Sequence, residues 1–156
     1  MSTKAQIFSS DFIFASFIFI LAISITYYLW MIKMSDLEEE KSLNKITDHA
    51  RIVSNVWMRE GIPKYWNDEN VIDLGLHDDG RLNETKMNYL KNLSYSKVKS
   101  MLGLNEYEFF LRIYDVENRT KFEFGKLEKS KMMVKVKRVS IMEGGIVFIE
   151  TILWSK

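Results

Sequence analysis

The chain has no cysteine, one proline and two histidines among its 156 residues. Without cysteine there is no disulfide framework, no thiolate nucleophile and no thiolate metal site. His49 and His77 alone cannot build an all-histidine metal cluster within one chain. The formal net charge of +1 lacks the strong positive balance that a nucleic-acid binder carries, so nucleic acid is not an expected partner. No nucleophile or oxyanion motif accompanies His77-Asp78, so neither catalysis nor a cofactor is expected.

The near-neutral total hides a segregated sequence. Residues 36–84 hold twelve acids against six bases, whereas residues 119–138 hold eight bases against two acids. The basic stretch alternates with apolar residues. It reads as the solvent face of a sheet, as a surface for anions, or as a counterpart to the acidic region of a neighbouring copy.

Residues 12–32 contain no charge, and their only polar members are Ser16, Ser24, Thr26 and the pair Tyr27-Tyr28. As a helix of about 1.5 Å rise per residue they span roughly 31 Å, the thickness of a bilayer's hydrocarbon core. A cleavable secretory signal has a shorter apolar stretch of about 7–15 residues followed by small residues. Tyr27-Tyr28-Leu29-Trp30-Met31 offers no such site. Lys4 precedes the segment, while Lys33 and then Asp36, Glu38, Glu39 and Glu40 follow it. That bias predicts the N-terminus inside the cell and the C-terminus outside, with Tyr27, Tyr28 and Trp30 marking the outer headgroup region.

Beyond the apolar segment Leu43, Ile46, Ala50, Val53 and Trp57 recur at spacings of three and four, which keeps one helix face apolar. Gly61 is a natural C-terminal cap and Pro63 blocks further winding, which predicts a helix end near Glu60. The remainder reads as a small head. A strand is expected over residues 71–76 and a turn at Asp78-Asp79-Gly80. Asn83 should cap a helix running to Lys91, and Ser94 or Ser96 a second one that Gly103 ends. Tyr107, Phe109, Leu111 and Ile113 alternate as a strand, and Asn118-Arg119-Thr120 turns the chain towards Phe122 and Phe124. Residues 133–141 and 146–154 flank Glu143-Gly144-Gly145, whose glycines suit the positive φ angles of a tight hairpin. Val134 and Val136 are out of phase with Val139 and Ile141, which predicts a bulge near Arg138. The expected fold is α+β: a long N-terminal hydrophobic helix packed on an antiparallel sheet of four or five strands.

Lys4-Ala5-Gln6 stands before the apolar segment and Asp11 at its entrance. With the long helix and β-rich head, these residues resemble archaeal type IV pilin-like proteins that carry a class III signal sequence. Gly61-Ile62-Pro63-Lys64-Tyr65-Trp66-Asn67, Leu74-Gly75-Leu76 and the final strand are similar to the heads of that family. The resemblance implies that a prepilin peptidase cuts at Lys4-Ala5-Gln6 and frees the apolar helix as a new N-terminus. Cutting between Ala5 and Gln6 makes Asp11 the sixth mature residue, although such pilins commonly place an acid fifth. Cutting after Gln6 restores that spacing, and both sites stay open. Asp11 would pair with the freed ammonium of an incoming subunit, or else cap the membrane helix.

The implied organisation is a leader at residues 1–6, a transmembrane or filament-core helix at 7–33, its amphipathic continuation at 34–60 and an extracytoplasmic α+β head at 61–156. The expected function is a structural pilin or pseudopilin of a surface filament, with the membrane, the peptidase and copies of this chain or other pilins as partners. The alternative is a single-pass anchored protein with an extracellular binding head that never polymerises. Asn83, Asn92 and Asn118 begin glycosylation sequons on the predicted outer side. Asp73, His77, Asp78, Asp79, Asn83 and Glu84 supply oxygen ligands but match no calcium loop, so they read as a solvated acidic turn and no metal is expected. His49 lies off the apolar helix face and is expected to be exposed.

Overall fold

The computed structural model describes residues 10–155. The protein is α+β. Helix α1 covers Ser10–Trp57, followed by a short hairpin of β1 (His77–Asp78) and β2 (Arg81–Leu82) and the helices α2 (Glu84–Asn92) and α3 (Tyr95–Met101). Four strands complete it: β3 (Tyr107–Asp115), β4 (Thr120–Phe124), β5 (Met133–Met142) and β6 (Gly145–Ser155). The chain divides into two compact units, Met1–Ser42 and Leu43–Lys156.

In the second unit the strands form an antiparallel sheet of order β4-β3-β6-β5. Its inner face carries Phe109, Leu111 and Ile113 of β3 with Val147, Ile149 and Leu153 of β6, and these bury with Ile46, Ala50, Val53 and Trp57 of α1. Each such side chain contributes about 1.5–3 kcal/mol when removed from water. The expected stripe starts later than its spacing suggests, because Leu43 is exposed and burial begins at Ile46. His49 is half-buried rather than exposed, since its ring lies 5.1 Å from that of Tyr107.

Helix α1 ends at Trp57, three residues before the expected Glu60. Met58 and Arg59 tighten onto the carbonyls of Asn55 and Val56, and groups from outside the helix then take the remaining acceptors. Leu76 N–H donates to Trp57 O at 3.2 Å and His77 N–H to Arg59 O at 2.9 Å. The Lys86 ammonium reaches Glu60 O at 2.7 Å. This closure explains why residues 71–76 are not the strand their pattern predicts: they make a single bridge, Ile62 to Asp73, and otherwise line the helix end. Gly75 is required there, because a Cβ would lie 2.4 Å from the carbonyl oxygen of Arg59. The Trp66 indole N–H donates to Gly75 O at 2.8 Å from the other side.

Two further expectations fail for local reasons. The β5–β6 register runs unbroken from Met133↔Trp154 to Met142↔Gly145, so there is no bulge at Arg138. The phase holds because Arg138 and Ser140 face inwards onto polar partners, which turns Val139 and Ile141 outwards into solvent. The irregular register lies instead between Ile113 and Tyr114, opposite Phe122 and Thr120, which leaves Lys121 as the extra residue of β4. In the hairpin the left-handed positions belong to Glu143 and Gly144, with φ of 52° and 80°, while Gly145 already pairs in β6.

Trp57 is fully buried, with its ring 6.3 Å from that of Phe109, and its indole N–H finds no hydrogen-bond partner among the described residues. Replacing Trp57 by Ala therefore destabilises the second unit by about 3–5 kcal/mol, a large part of a typical domain's stability. Trp57→Phe costs less, since it keeps most of the apolar volume and removes an unsatisfied donor. Urea denaturation of both variants checks the order.

Candidate functional site

A chemically uniform apolar surface lies on the first unit. From Phe12 to Ile32 the large apolar side chains of α1 are between 44 and 67% exposed, and they point in every direction around the helix. Ser24 Oγ donates to Ile20 O at 2.8 Å and Thr26 Oγ1 to Ala22 O at 2.9 Å, so these hydroxyls are satisfied inside the helix. A helix whose backbone and hydroxyls bond internally carries no polar demand into hydrocarbon. Within α1 an 18-residue window reaches a mean hydropathy of 2.2, which makes this helix long and apolar enough to cross a membrane. Asp11 lies in its first turn, where the helix dipole favours an acid. Lys4, Ala5 and Gln6 lie outside the described residues.

The second unit contains a buried polar cluster that sequence reading missed, because its members come from distant positions. His77 Nε2 lies 2.6 Å from Ser140 Oγ, and Nδ1 lies 2.7 Å from Trp57 O. A carbonyl only accepts, so Nδ1 carries the proton and Nε2 accepts from the serine hydroxyl. The Lys86 ammonium donates to His77 O at 2.8 Å as well as to Glu60 O. His77 and Ser140 are 3 and 7% exposed, so the pair fastens β5 to the end of α1 and keeps Ser140 Oγ away from bulk solvent. Burial, the largest influence on His77, pushes its pKa below the ordinary value, and the nearby Lys86 charge acts in the same direction. Burial likewise lowers the pKa of Lys86.

The acidic turn is only partly assembled. Asp78 and Asp79 gather with Glu60, their carboxylates within 4.8 Å of one another. The ammonium of Lys64 sits among them, at 2.9 Å from Asp79, 3.4 Å from Glu60 and 3.5 Å from Asp78. The Asp79 hydrogen bond, foremost, holds the Lys64 pKa above its usual range. His77 belongs to the buried cluster instead, and the Asn83 side chain caps α2 by accepting from Thr85 N and Lys86 N. Of the other sequon asparagines, Asn92 points its Nδ2 at Asp68 over 3.4 Å, and Asn118 occupies the exposed β3–β4 turn with φ of 62°. That turn is organised by Asp115, whose carboxylate accepts from Glu117 N and Arg119 N and pairs with the Arg119 guanidinium at 2.8 Å.

The basic stretch does not present one face. Lys135 and Lys137 lie on the outer sheet face and flank the buried Glu150 carboxylate at 3.3 and 3.5 Å. Arg138 is on the inner face, its guanidinium donating to Ser54 Oγ at 2.9 Å and Asn55 Oδ1 at 2.8 Å. A cleft of about 550 Å³ opens between Tyr95, Lys99, Glu108 and Trp154. At its wall Lys99 pairs with Glu108 at 2.7 Å, and Tyr95 donates to the other oxygen of that carboxylate at 2.7 Å.

Comparison with protein-family models, with curated proteins and with solved structures returns no match to this chain.

The His77 geometry predicts a pH dependence. The unfolded chain takes up a proton on this imidazole near pH 6.5, whereas the folded chain takes it up only at lower pH. Below about pH 6.5 the unfolded state therefore binds more protons, and stability falls as the pH is lowered through that window. Thermal denaturation between pH 7.5 and 5 should show this fall, and His77→Gln should flatten it.

Proposed function

We propose that the chain is a subunit of an archaeal type IV pilus-like surface filament. It is inserted in the membrane with its N-terminus cytoplasmic and its head extracellular, then moved into the filament after a prepilin peptidase removes a short leader. The observation that carries this reading is the apolar circumference of α1 between Phe12 and Ile32, exposed in the single chain. Such a surface needs either lipid or a sheath of like helices. A bilayer and a helical bundle both bury the whole perimeter, so one sequence serves before and after assembly. The second unit supports the reading by closing its own hydrophobic core from residue 46 onward, which leaves the preceding segment uncommitted.

On this reading Asp11 has a role beyond capping. A carboxylate beside hydrocarbon is costly alone and tolerable next to an ammonium, which the freed N-terminus of an adjoining subunit supplies. Pairing of that kind fixes the axial register of neighbouring helices. The non-polymerising anchored protein differs by needing neither processing nor self-association.

Two measurements separate them. The intact mass of protein from its native host should correspond to loss of residues 1–5 or 1–6, and an uncleaved chain in the presence of an active peptidase would rule the proposal out. Asp11→Ala should insert normally yet give few assembled filaments by electron microscopy. Filament numbers equal to wild type would leave the residue with its capping role alone.

A further inference from the structure

The second unit holds three sequons, and their surroundings set them apart. A glycosyl transferase has to reach both the asparagine carboxamide and the hydroxyl two residues on, so the segment must stand clear of regular structure with exposed flanks. Asn83-Glu84-Thr85 does not. Asn83 Oδ1 accepts from Thr85 N at 2.8 Å and Lys86 N at 3.3 Å, the threonine already belongs to α2, and the flanking Leu82 and Lys86 are buried. Asn92-Leu93-Ser94 is fixed as well. Asn92 closes α2 with its Nδ2 directed at Asp68, Leu93 at the centre is buried, and Ser94 Oγ accepts from Lys97 N as the cap of α3.

Asn118-Arg119-Thr120 differs on each count. Every residue from 116 to 121 is exposed, and the Asn118 carboxamide makes no hydrogen bond among the described residues. The turn nevertheless holds a fixed shape, because the Asp115 carboxylate accepts from Glu117 N and Arg119 N while Asn118 N donates to Asp115 O at 2.9 Å. Thr120 Oγ1 accepts from Arg112 Nε at 3.0 Å, which orients the oxygen and leaves its hydrogen available. The carboxamide and the hydroxyl therefore stand on one exposed, preformed turn.

We propose that Asn118, and neither Asn83 nor Asn92, carries an N-linked oligosaccharide. The donor is a sugar chain on a membrane lipid phosphate. The bond between its anomeric carbon and the phosphate oxygen breaks, the lipid phosphate leaves with the electron pair, and the same carbon bonds to Asn118 Nδ2, which gives up one proton to a base of the transferase. The inference rests on the outward orientation of the head in the proposed function. By the strand register, Ile141 and Ile146 lie at the same end of the sheet as this turn and are exposed, as is Val116 within it, so a hydrated sugar chain here sits beside apolar side chains.

The test is the mass of the full chain from its native host, with peptide mapping. Wild type should show an excess equal to whole sugar residues, confined to the peptide that contains Asn118. A φ of 62° suits glycine as well as asparagine, so Asn118→Gly keeps the turn. That variant and Thr120→Val should lose the whole excess with an unchanged melting temperature of the head, while Thr120→Ser, which retains the sequon, should keep it. An excess that persists in Asn118→Gly and maps to Asn83 or Asn92 would overturn the proposal. A chain that has lost its leader and carries no sugar would overturn it and leave the filament reading intact. Sugar on an uncleaved chain would support it and rule the filament reading out, and an uncleaved chain without sugar would overturn both.

Discussion

A helix leaves its last carbonyls without partners, and in this protein the way those acceptors are satisfied governs the head. The carbonyls of Trp57, Arg59 and Glu60 are taken by Leu76 N, His77 N, His77 Nδ1 and Lys86 Nζ, all from segments that follow in the chain. Buried acceptors that lose a partner carry a desolvation cost of about 1–3 kcal/mol each. Because one loop, one imidazole and one ammonium serve all three, the helix end, the first hairpin, α2 and, through Ser140, strand β5 are held to one another. The same arrangement places the ammonium of Lys86 in a largely buried position with carbonyl partners, where burial lowers its pKa.

The core then follows from periodicity. Ile46, Ala50, Val53 and Trp57 present a stripe at helical spacing to a sheet whose inner face alternates with period two, and both patterns are satisfied at once only when the stripe lies on that face. The outer face is managed differently. Phe110, Ile152 and Trp154 form a small separate cluster, and Glu150 is buried with two lysines of β5 on its carboxylate. A carboxylate with so little solvent is stabilised by two flanking cations, which is why those lysines are structural and not a free basic patch.

Where the sequence was legible, the signal was local. The apolar segment, the α2 and α3 caps at Asn83 and Ser94, the alternation of β3 and the β5–β6 hairpin all depend on residues within a few positions of one another. The misreadings share another cause. Residues 71–76 have the composition of a strand, but Ile72 and Asp73 donate to the carbonyl of Ile62 and Leu76 to that of Trp57 at the end of α1. Val139 and Ile141 suggested a bulge because apolar side chains were assumed to face inwards. Arg138 and Ser140 outweigh them, since polar partners on α1 and β1 hold those two on the inner face. The His77–Ser140 contact joins positions 63 residues apart, and no spacing rule anticipates it.

The polar groups of α1 show how one helix can suit two surroundings. In its apolar part the hydroxyls of Ser24 and Thr26 turn back on the helix, so those two ask for neither water nor a specific neighbour. Packing among helices so predominantly apolar has few polar contacts to fix its register. The charges of α1 stand at the two ends of the segment: Asp11 in the first turn, and the acids from Asp36 to Glu40 beyond the last apolar turn. Under the proposed function Asp11 meets a cation in a low-dielectric setting where a single pair is strong and selective, whereas the later acids lie where exposed pairs are individually weak. Assembly on that reading would tolerate the loss of a solvent-exposed charge far better than the loss of Asp11.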